Sequence, residues 1–254
     1  MSSKEELIDE LIRDGYLKSP RLIEAFLKID RKDFVPREHW SEAYENYPLP
    51  IGRGQTISQP LTVAFMLELL DPAPGERILD VGSGSGWTSA LLAHCVSRAA
   101  RINADQDADK RGYIRENQSS NPRISAGYVV AIERIPELCK FGESNIRKYS
   151  FIDKGVVKIF CGDASRDLPK DMVPDGGFDK ILVSAALEHP RQSAFHPRSS
   201  ALELIPKEWK NQLKIGGRIV APIGQSVVVL DKISEKEFKE KEYFGFSFVP
   251  LVKD

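Results

Sequence analysis

Apolar positions follow two regimes along the chain. In the first, they repeat at helical spacing. Leu7, Ile8, Leu11 and Ile12 share one face behind Ser3 and Glu6, which form a capping box, and Gly15 stands as a stop. Ser19-Pro20 opens a second helix with Leu22, Ile23, Phe26 and Leu27 expected inward. The stretch "RKDFVPREHWSEAYENYPLPIGRGQTISQP" (31–60) keeps no period and is punctuated by proline, so it is expected to be a structured loop lying over something. Pro60 suits the first position of a helix carrying Val63, Ala64, Met66, Leu67 and Leu70.

After "DPAPGE" the regime changes. "RILDV" (77–81) reads as a short buried strand that runs into "GSGSG" and then the helix "WTSALLAHCV". "YVVAIE" (128–133), "GVVKIF" (155–160) and "FDKILVSAA" (178–186) read as further strands, with a helix starting near Pro136. "WKNQLKIGGRIVAPIG" predicts a helix, a Gly-Gly turn and a fifth strand; "SVVVLDKIS" and "YFGFSFVPL" predict an antiparallel pair. Strands alternating with helices predict an α/β fold: a three-layer, Rossmann-like, mostly parallel sheet with a C-terminal antiparallel strand pair, preceded by N-terminal helices. Right-handed crossovers place the carboxyl ends of the parallel strands on one edge, where ligands bind. One domain is expected over 1–254, divided into N-terminal helices and a substrate-side flap (1–72), a cofactor-binding core (73–224) and C-terminal strands (225–254).

Composition narrows the classes. A chain of 254 residues buries a sizeable core without disulfides or metals. A formal net charge of −1 argues against a polyanion-binding surface over the whole protein, and no basic stripe suggests nucleic acid. The three cysteines, Cys95, Cys139 and Cys161, are far apart and form no CxxC pair, so each is expected as a small apolar residue in a reducing cytosol. The acidic, amphipathic N-terminus does not read as a secretory signal, and Leu61–Leu70 is too short to span a bilayer. A cytoplasmic protein with no membrane partner is expected.

Candidate chemistry gathers at the strand ends. In "DVGSGSG", Gly82, Gly84 and Gly86 allow a tight turn and close approach to a ligand, with Ser83 and Ser85 between them. The spacing is not the G-x-G-x-x-G of a dinucleotide fold. Asp80 beside the turn would repel a pyrophosphate but attract a cationic amino group or sulfonium, which favours S-adenosylmethionine over NAD. Glu133 ends the second strand, where a carboxylate suits two ribose hydroxyls; the competing reading pairs it with Arg134 on the surface. The third strand runs into "CGDA", where Gly162 permits close approach and Asp163, followed by Ala164, can accept from an adenine amino group; a plain surface turn is the alternative. "GRGQTISQP" (52–60) has its own plain reading: Gly52 and Gly54 as turn residues, Ser58 or Gln59 as a cap for the Pro60 helix.

Taken together, "DFVP" (33–36), "YPLPIGRGQTISQP" (47–60), "LDVGSGSGWTSALLA" (79–93), "IERIPEL" (132–138), "GDA" (162–164), "FDKILVSAA" (178–186), "LKIGGRIVAPIG" (213–224) and "FVPL" (248–251) resemble the protein-L-isoaspartate (D-aspartate) O-methyltransferases, a family of class I S-adenosylmethionine-dependent methyltransferases. "GQTISQP" is the specific part of that likeness. The resemblance implies methyl transfer from S-adenosylmethionine to the carboxylate of an L-isoaspartyl or D-aspartyl residue in damaged peptides, initiating repair and leaving S-adenosylhomocysteine. It implies Ser58 as the active-site residue beside the acceptor. It places Thr56, Ile57 and Ser58 along the methionine end of the cofactor, Asp80 and Gly82–Gly86 on the methionine moiety, Glu133 on the ribose and Gly162, Asp163 and Ala164 at the adenine. A monomer is expected by analogy.

Two stretches look inserted, near 97–127 and 187–204. In the first, Asp105, Asp107, Asp109 and Glu116 fall at positions 1, 3, 5 and 12 of a calcium-loop spacing. Lys110 occupies the glycine position, the sequence shows no obvious entering helix, and a solvated polar excursion is expected instead. In the second, His189 and His196 are expected to be exposed rather than metal-ligating, so no metal is assigned. Two rival functions remain: a methyltransferase acting on a small molecule or RNA, against which there is no N/D-PPY-type site, and a non-catalytic binding module, against which the motifs above are intact.

Overall fold

A computed structural model describes residues 2–97, 127–164, 168–185, 187 and 201–246. The inserted stretches, with their calcium-like spacing and two histidines, lie almost wholly outside the described residues.

Helix α1 (Lys4–Arg13) begins with the expected capping box: the Ser3 hydroxyl accepts from the Glu6 N–H, and the Glu6 carboxylate accepts from the Ser3 N–H. Helix α2 (Pro20–Lys28) carries proline in its first turn. Its inward set is Leu22, Ala25 and Phe26; Leu27 is 46% exposed and Ile12 on α1 is 38% exposed. Both were expected inside. Ile12 and Leu27 lie at the margin of the apolar arc, beyond the surface that the neighbouring helices cover. Phe26 meets the Trp87 ring edge-on, centroids 5.5 Å apart, and this joins the N-terminal helices to the core.

The stretch expected as loop contains a hairpin. Strand β1 (Leu49–Gly52) pairs antiparallel with β2 (Gln55–Ile57). Gly52 faces Gln55, leaving Arg53 and Gly54 as a two-residue turn with φ of 53° and 71°. Positive φ at both central residues is what a tight hairpin demands, so the plain turn reading of these glycines holds. Helix α3 (Pro60–Leu70) follows.

The central sheet has seven strands in the order β5-β4-β3-β6-β7-β8-β9. They are β3 (Arg77–Val81), β4 (Tyr128–Glu133), β5 (Val157–Cys161), β6 (Phe178–Val183), β7 (Leu213–Ile223), β8 (Ser226–Lys232) and β9 (Phe238–Phe244). The first five pair in parallel and β8 and β9 antiparallel. Alternate strand residues feed two cores: Ile78, Val129, Ala131, Leu182 and Val220 face one side, Leu79, Val81, Val130, Ile132 and Val183 the other. The first side is covered by α1–α3, α4 (Trp87–Val96) and α5 (Pro136–Arg147); the second receives α6 (Ala201–Leu204) and α7 (Lys207–Gln212), with Trp209 buried. Helix α4 is apolar nearly all round because it is enclosed nearly all round.

Two boundaries differ from expectation. The Gly-Gly pair does not precede the fifth strand; β7 runs from Leu213 through it, and the pairing slips between Phe178–Leu213 and Lys180–Arg218. Gly216 takes φ 82° at that slip, a bulge inside a strand. The last strand was sought in "YFGFSFVPL" but is Phe238–Phe244, "FKEKEYF". It lies at the sheet's outer edge, where charged side chains are favoured and an apolar run is no guide. Residues 247–254 lie outside the described set.

Candidate active site

The chain order reverses between β3 and β6, since β4 lies on one side of β3 and β6 on the other. The carboxyl ends of these neighbours open the crevice typical of such a switch point. Gly82, Ser83, Gly84, Ser85 and Gly86 turn out of β3 there. Gly82 and Ser83 both donate their N–H to the Ile132 carbonyl at 2.9 Å, and Gly86 donates to the Ser83 carbonyl at 2.8 Å. Ser83 and Ser85 are buried. The glycines are needed: their φ values are 76°, 53° and 86°. Helix α5 backs the turn. A Cβ on Gly142 would lie 2.8 Å from the Gly84 carbonyl, and Asn145 donates to the Ser85 carbonyl at 3.1 Å.

Asp80 is fully buried at the end of β3. Its Oδ2 accepts from Thr88 at 2.7 Å and Ser89 at 2.6 Å, and its Oδ1 from Ser184 at 2.8 Å. Burial pushes the carboxyl above its ordinary value, and the three hydroxyls oppose that by stabilising the anion. Hydroxyls from α4 and from the residue after β6 thus surround the carboxyl group. Thr88, Ser89 and Ser184 escaped the sequence reading, although two of them directly follow the glycine turn.

Glu133 is 7% exposed, at the end of β4. Its Oε2 accepts from the Gly84 N–H at 2.9 Å and its Oε1 from the Ile135 N–H at 2.8 Å. These backbone bonds fix the carboxylate against the glycine turn, unlike the exposed pairing with Arg134 considered above. One lone pair per oxygen remains, the acceptor set that a ribose diol requires. Gly162 donates to the Glu133 carbonyl at 3.0 Å. A Cβ on Gly162 would come within 2.5 Å of the Phe160 ring, which would have to shift to admit it. Asp163 is half-buried beside it, and the Ala164 carbonyl accepts from the Trp209 indole at 2.6 Å.

The hairpin lies against this turn. A Cβ on Gly84 would meet Ile51 Cδ1 at 3.3 Å, and at the hairpin tip Arg53 Nη2 pairs with Glu137 Oε1 on α5 at 2.6 Å. Thr56 and Ser58 are half-buried and Ile57 is buried. Ser58 sits between β2 and α3. At the mouth of α3, Pro60 has no N–H and Leu61 donates to Asn46 Oδ1 at 3.0 Å; Gln59, the cap position, makes no side-chain cap bond.

One contact had no sequence signal. Arg31 is buried, with Nη1 donating to the carbonyls of Ala43 (2.8 Å) and Glu45 (3.2 Å) and Nη2 to those of Tyr47 (2.9 Å) and Ser58 (3.1 Å). Its guanidinium stands 5.5 Å over the Trp87 ring. Burial lowers its pKa to about 9.

Cys139 on α5 and Cys161 at the end of β5 form a disulfide, Cα atoms 5.7 Å apart. This corrects the expectation of isolated thiols. Their separation of 22 residues gave no sign of it; the crossover that lays α5 over β5 brings them together. Cys95 is buried as expected. Among the described residues no three His, Cys, Asp or Glu side chains are placed to hold a metal, and no helix is long and apolar enough to cross a membrane.

The family model for protein-L-isoaspartate (D-aspartate) O-methyltransferase matches residues 2–109 and 122–254. A protein-L-isoaspartate O-methyltransferase from Methanopyrus kandleri is 35% identical over 254 residues, covering 98% of this chain and 91% of its own. One from Aeropyrum pernix is 36% identical over 250 residues, covering 97% and 78%. A crystal structure of a protein of that description from Plasmodium falciparum, in complex with S-adenosyl-L-homocysteine, superposes with a TM-score of 0.71 at 22% identity and covers both chains fully.

Proposed function

The chain belongs to the protein-L-isoaspartate O-methyltransferase family, enzymes that use S-adenosylmethionine to methylate isoaspartyl residues for protein repair, and on that footing we propose how its residues divide the work. When bound, S-adenosylmethionine supplies an electrophilic methyl group on a sulfonium. Asp80, through its ring of hydroxyls, attracts the cationic amino group of the methionine moiety, and Gly82–Gly86 accommodate its backbone-like end. Glu133 accepts from both ribose hydroxyls. Gly162, Asp163 and Ala164 form the adenine edge, with Asp163 accepting from the amino group. Thr56 and Ile57 line the methionine end from above.

An isoaspartyl carboxylate is ionised at neutral pH, its pKa lying near about 4. No proton need be abstracted, so the protein's task is alignment and exclusion of water. Ser58 provides the alignment by donating its hydroxyl to the acceptor carboxylate. The N–H of Leu61 is committed to Asn46, so the serine hydroxyl is assigned the alignment together with the remaining N–H groups of this corner. The observation that supports the assignment is the contact of the hairpin with the glycine turn at Ile51 and Gly84, since the Ser58 segment continues from that hairpin. The enzyme acts as a monomer, its outermost strand β9 protected by Lys239, Glu240, Lys241 and Glu242.

The test uses labelled S-adenosylmethionine with an isoaspartyl peptide, its normal aspartyl twin and an RNA. Base-labile methyl ester is expected on the isoaspartyl peptide alone; label on RNA would defeat the substrate assignment. Ser58→Ala is expected to lower kcat by roughly 100-fold, as loss of a single oriented donor does, with S-adenosylhomocysteine affinity unchanged by calorimetry. Equal loss of affinity would make Ser58 a cofactor ligand instead.

A further inference from the structure

Arg31 is buried, and among the described residues no carboxylate stands at its guanidinium. Instead, the four N–H bonds of its two terminal nitrogens are matched by four backbone carbonyls. Three belong to residues 43–47, which lead into the hairpin, and the fourth to Ser58, which leaves it. One side chain thus ties both feet of the hairpin together. Below it, the Trp87 ring is the first residue of the helix that leaves the glycine turn. The turn that carries Arg31 is itself braced. Asp30 N–H donates to the Tyr149 hydroxyl at 2.8 Å, and that hydroxyl donates to Asp33 at 2.7 Å. Tyr44 donates to Asp30 at 3.0 Å.

We infer that Arg31 is a positioning residue for methyl transfer: its four-way clamp fixes Ser58 in height and angle over the glycine turn. The inference rests on the role given to Ser58 above and extends it to a residue that touches neither cofactor nor acceptor. A planar fork is required, because an ammonium has three donors on a single point and cannot span four carbonyls. A loosened clamp shifts Ser58 by a fraction of an ångström to an ångström, and a misplacement of about 1 Å costs on the order of 100-fold in rate. The cofactor contacts proposed at Asp80, Glu133 and Gly162 lie at strand ends and share no hydrogen bond with the clamp; only those of Thr56 and Ile57 lie on the hairpin, so most of the cofactor affinity is expected to survive a loosened clamp.

The experiment is a double-mutant cycle on the full chain with Arg31→Lys, Ser58→Ala and the pair, and with Arg31→Gln as a second, uncharged replacement should the lysine variant fail to fold. The readouts are kcat and KM for an isoaspartyl peptide and calorimetric Kd for S-adenosylhomocysteine. Arg31→Lys is expected to lower kcat on the order of 10- to 100-fold while Kd stays within about twofold. In the Ser58→Ala background the same change is expected to cost far less, because its effect runs through the serine. Full additivity, an unchanged kcat, or a Kd that weakens as much as kcat falls would overturn the inference for Arg31 while leaving Ser58 its role. A wild-type kcat for Ser58→Ala alone would overturn both.

Discussion

Burial and the proposed ligand act on the Asp80 carboxyl in opposite directions. Burial raises its pKa above the ordinary value of 3.8. For a carboxyl raised in this way the folded state holds more protons than the unfolded chain, so its contribution to stability is present at low pH and is lost as pH rises from the ordinary to the raised value. Cofactor binding runs the other way. The anion attracts the amino group, so S-adenosylhomocysteine affinity is expected to fall as pH drops through the raised pKa, and the dependence is expected to vanish in Asp80→Asn. Calorimetry across an acid-to-neutral buffer series checks both; a flat affinity in the wild type would remove Asp80 from the binding role. At this scale the placement of the carboxylates was readable: Asp80 and Glu133 are buried at the ends of β3 and β4, where the apolar runs put them. Their hydroxyl partners were less so, since Thr88, Ser89 and Ser184 look like ordinary helix and strand-end residues until the fold closes on Asp80.

Among the elements, α5 and the hairpin hold the glycine turn from two sides. On α5 the contact is Gly142, whose added Cβ would lie 2.8 Å from the Gly84 carbonyl and 3.4 Å from the Gly86 nitrogen. Neither is the end of a flexible side chain, so the turn must move. Gly142→Ala is expected to cost about 1–3 kcal/mol of stability, as overpacking does, and to weaken S-adenosylhomocysteine binding at least about tenfold; thermal melts and calorimetry measure the two. Unchanged affinity would mean that the turn adapts. The elements of the parallel core were legible because buried strands bounded by glycine announce themselves, and β3, β4 and the capping box of α1 fall where the pattern put them. The hairpin was missed because its strands are three and four residues long and β1 contains proline, which hides any alternation. Strand β9 was missed because an edge is written in charges.

For the molecule as a whole, the disulfide joins the helix behind the glycine turn to the strand that leads into Gly162 and Asp163. It closes a loop of 22 residues, which in the chain-entropy account stabilises by about 3 kcal/mol. Reduction is expected to lower Tm by roughly 5–10 °C for a chain of this size, measured calorimetrically with and without reductant; an identical Tm would show that the link adds nothing to the fold. No spacing rule could have found this pair, because it follows from the crossover and not from the order of residues. The overall architecture, by contrast, was open to inspection, since alternation of strand and helix admits few arrangements.

The hairpin is held unequally at its two ends. Its base is locked by a dry guanidinium between four carbonyls, while its tip is tied by an ion pair, Arg53 with Glu137, whose side chains are more than half exposed. Dissolved salt screens the second and hardly reaches the first. Rising ionic strength is thus expected to loosen the tip of the hairpin while its base, with the Ser58 carbonyl, stays fastened.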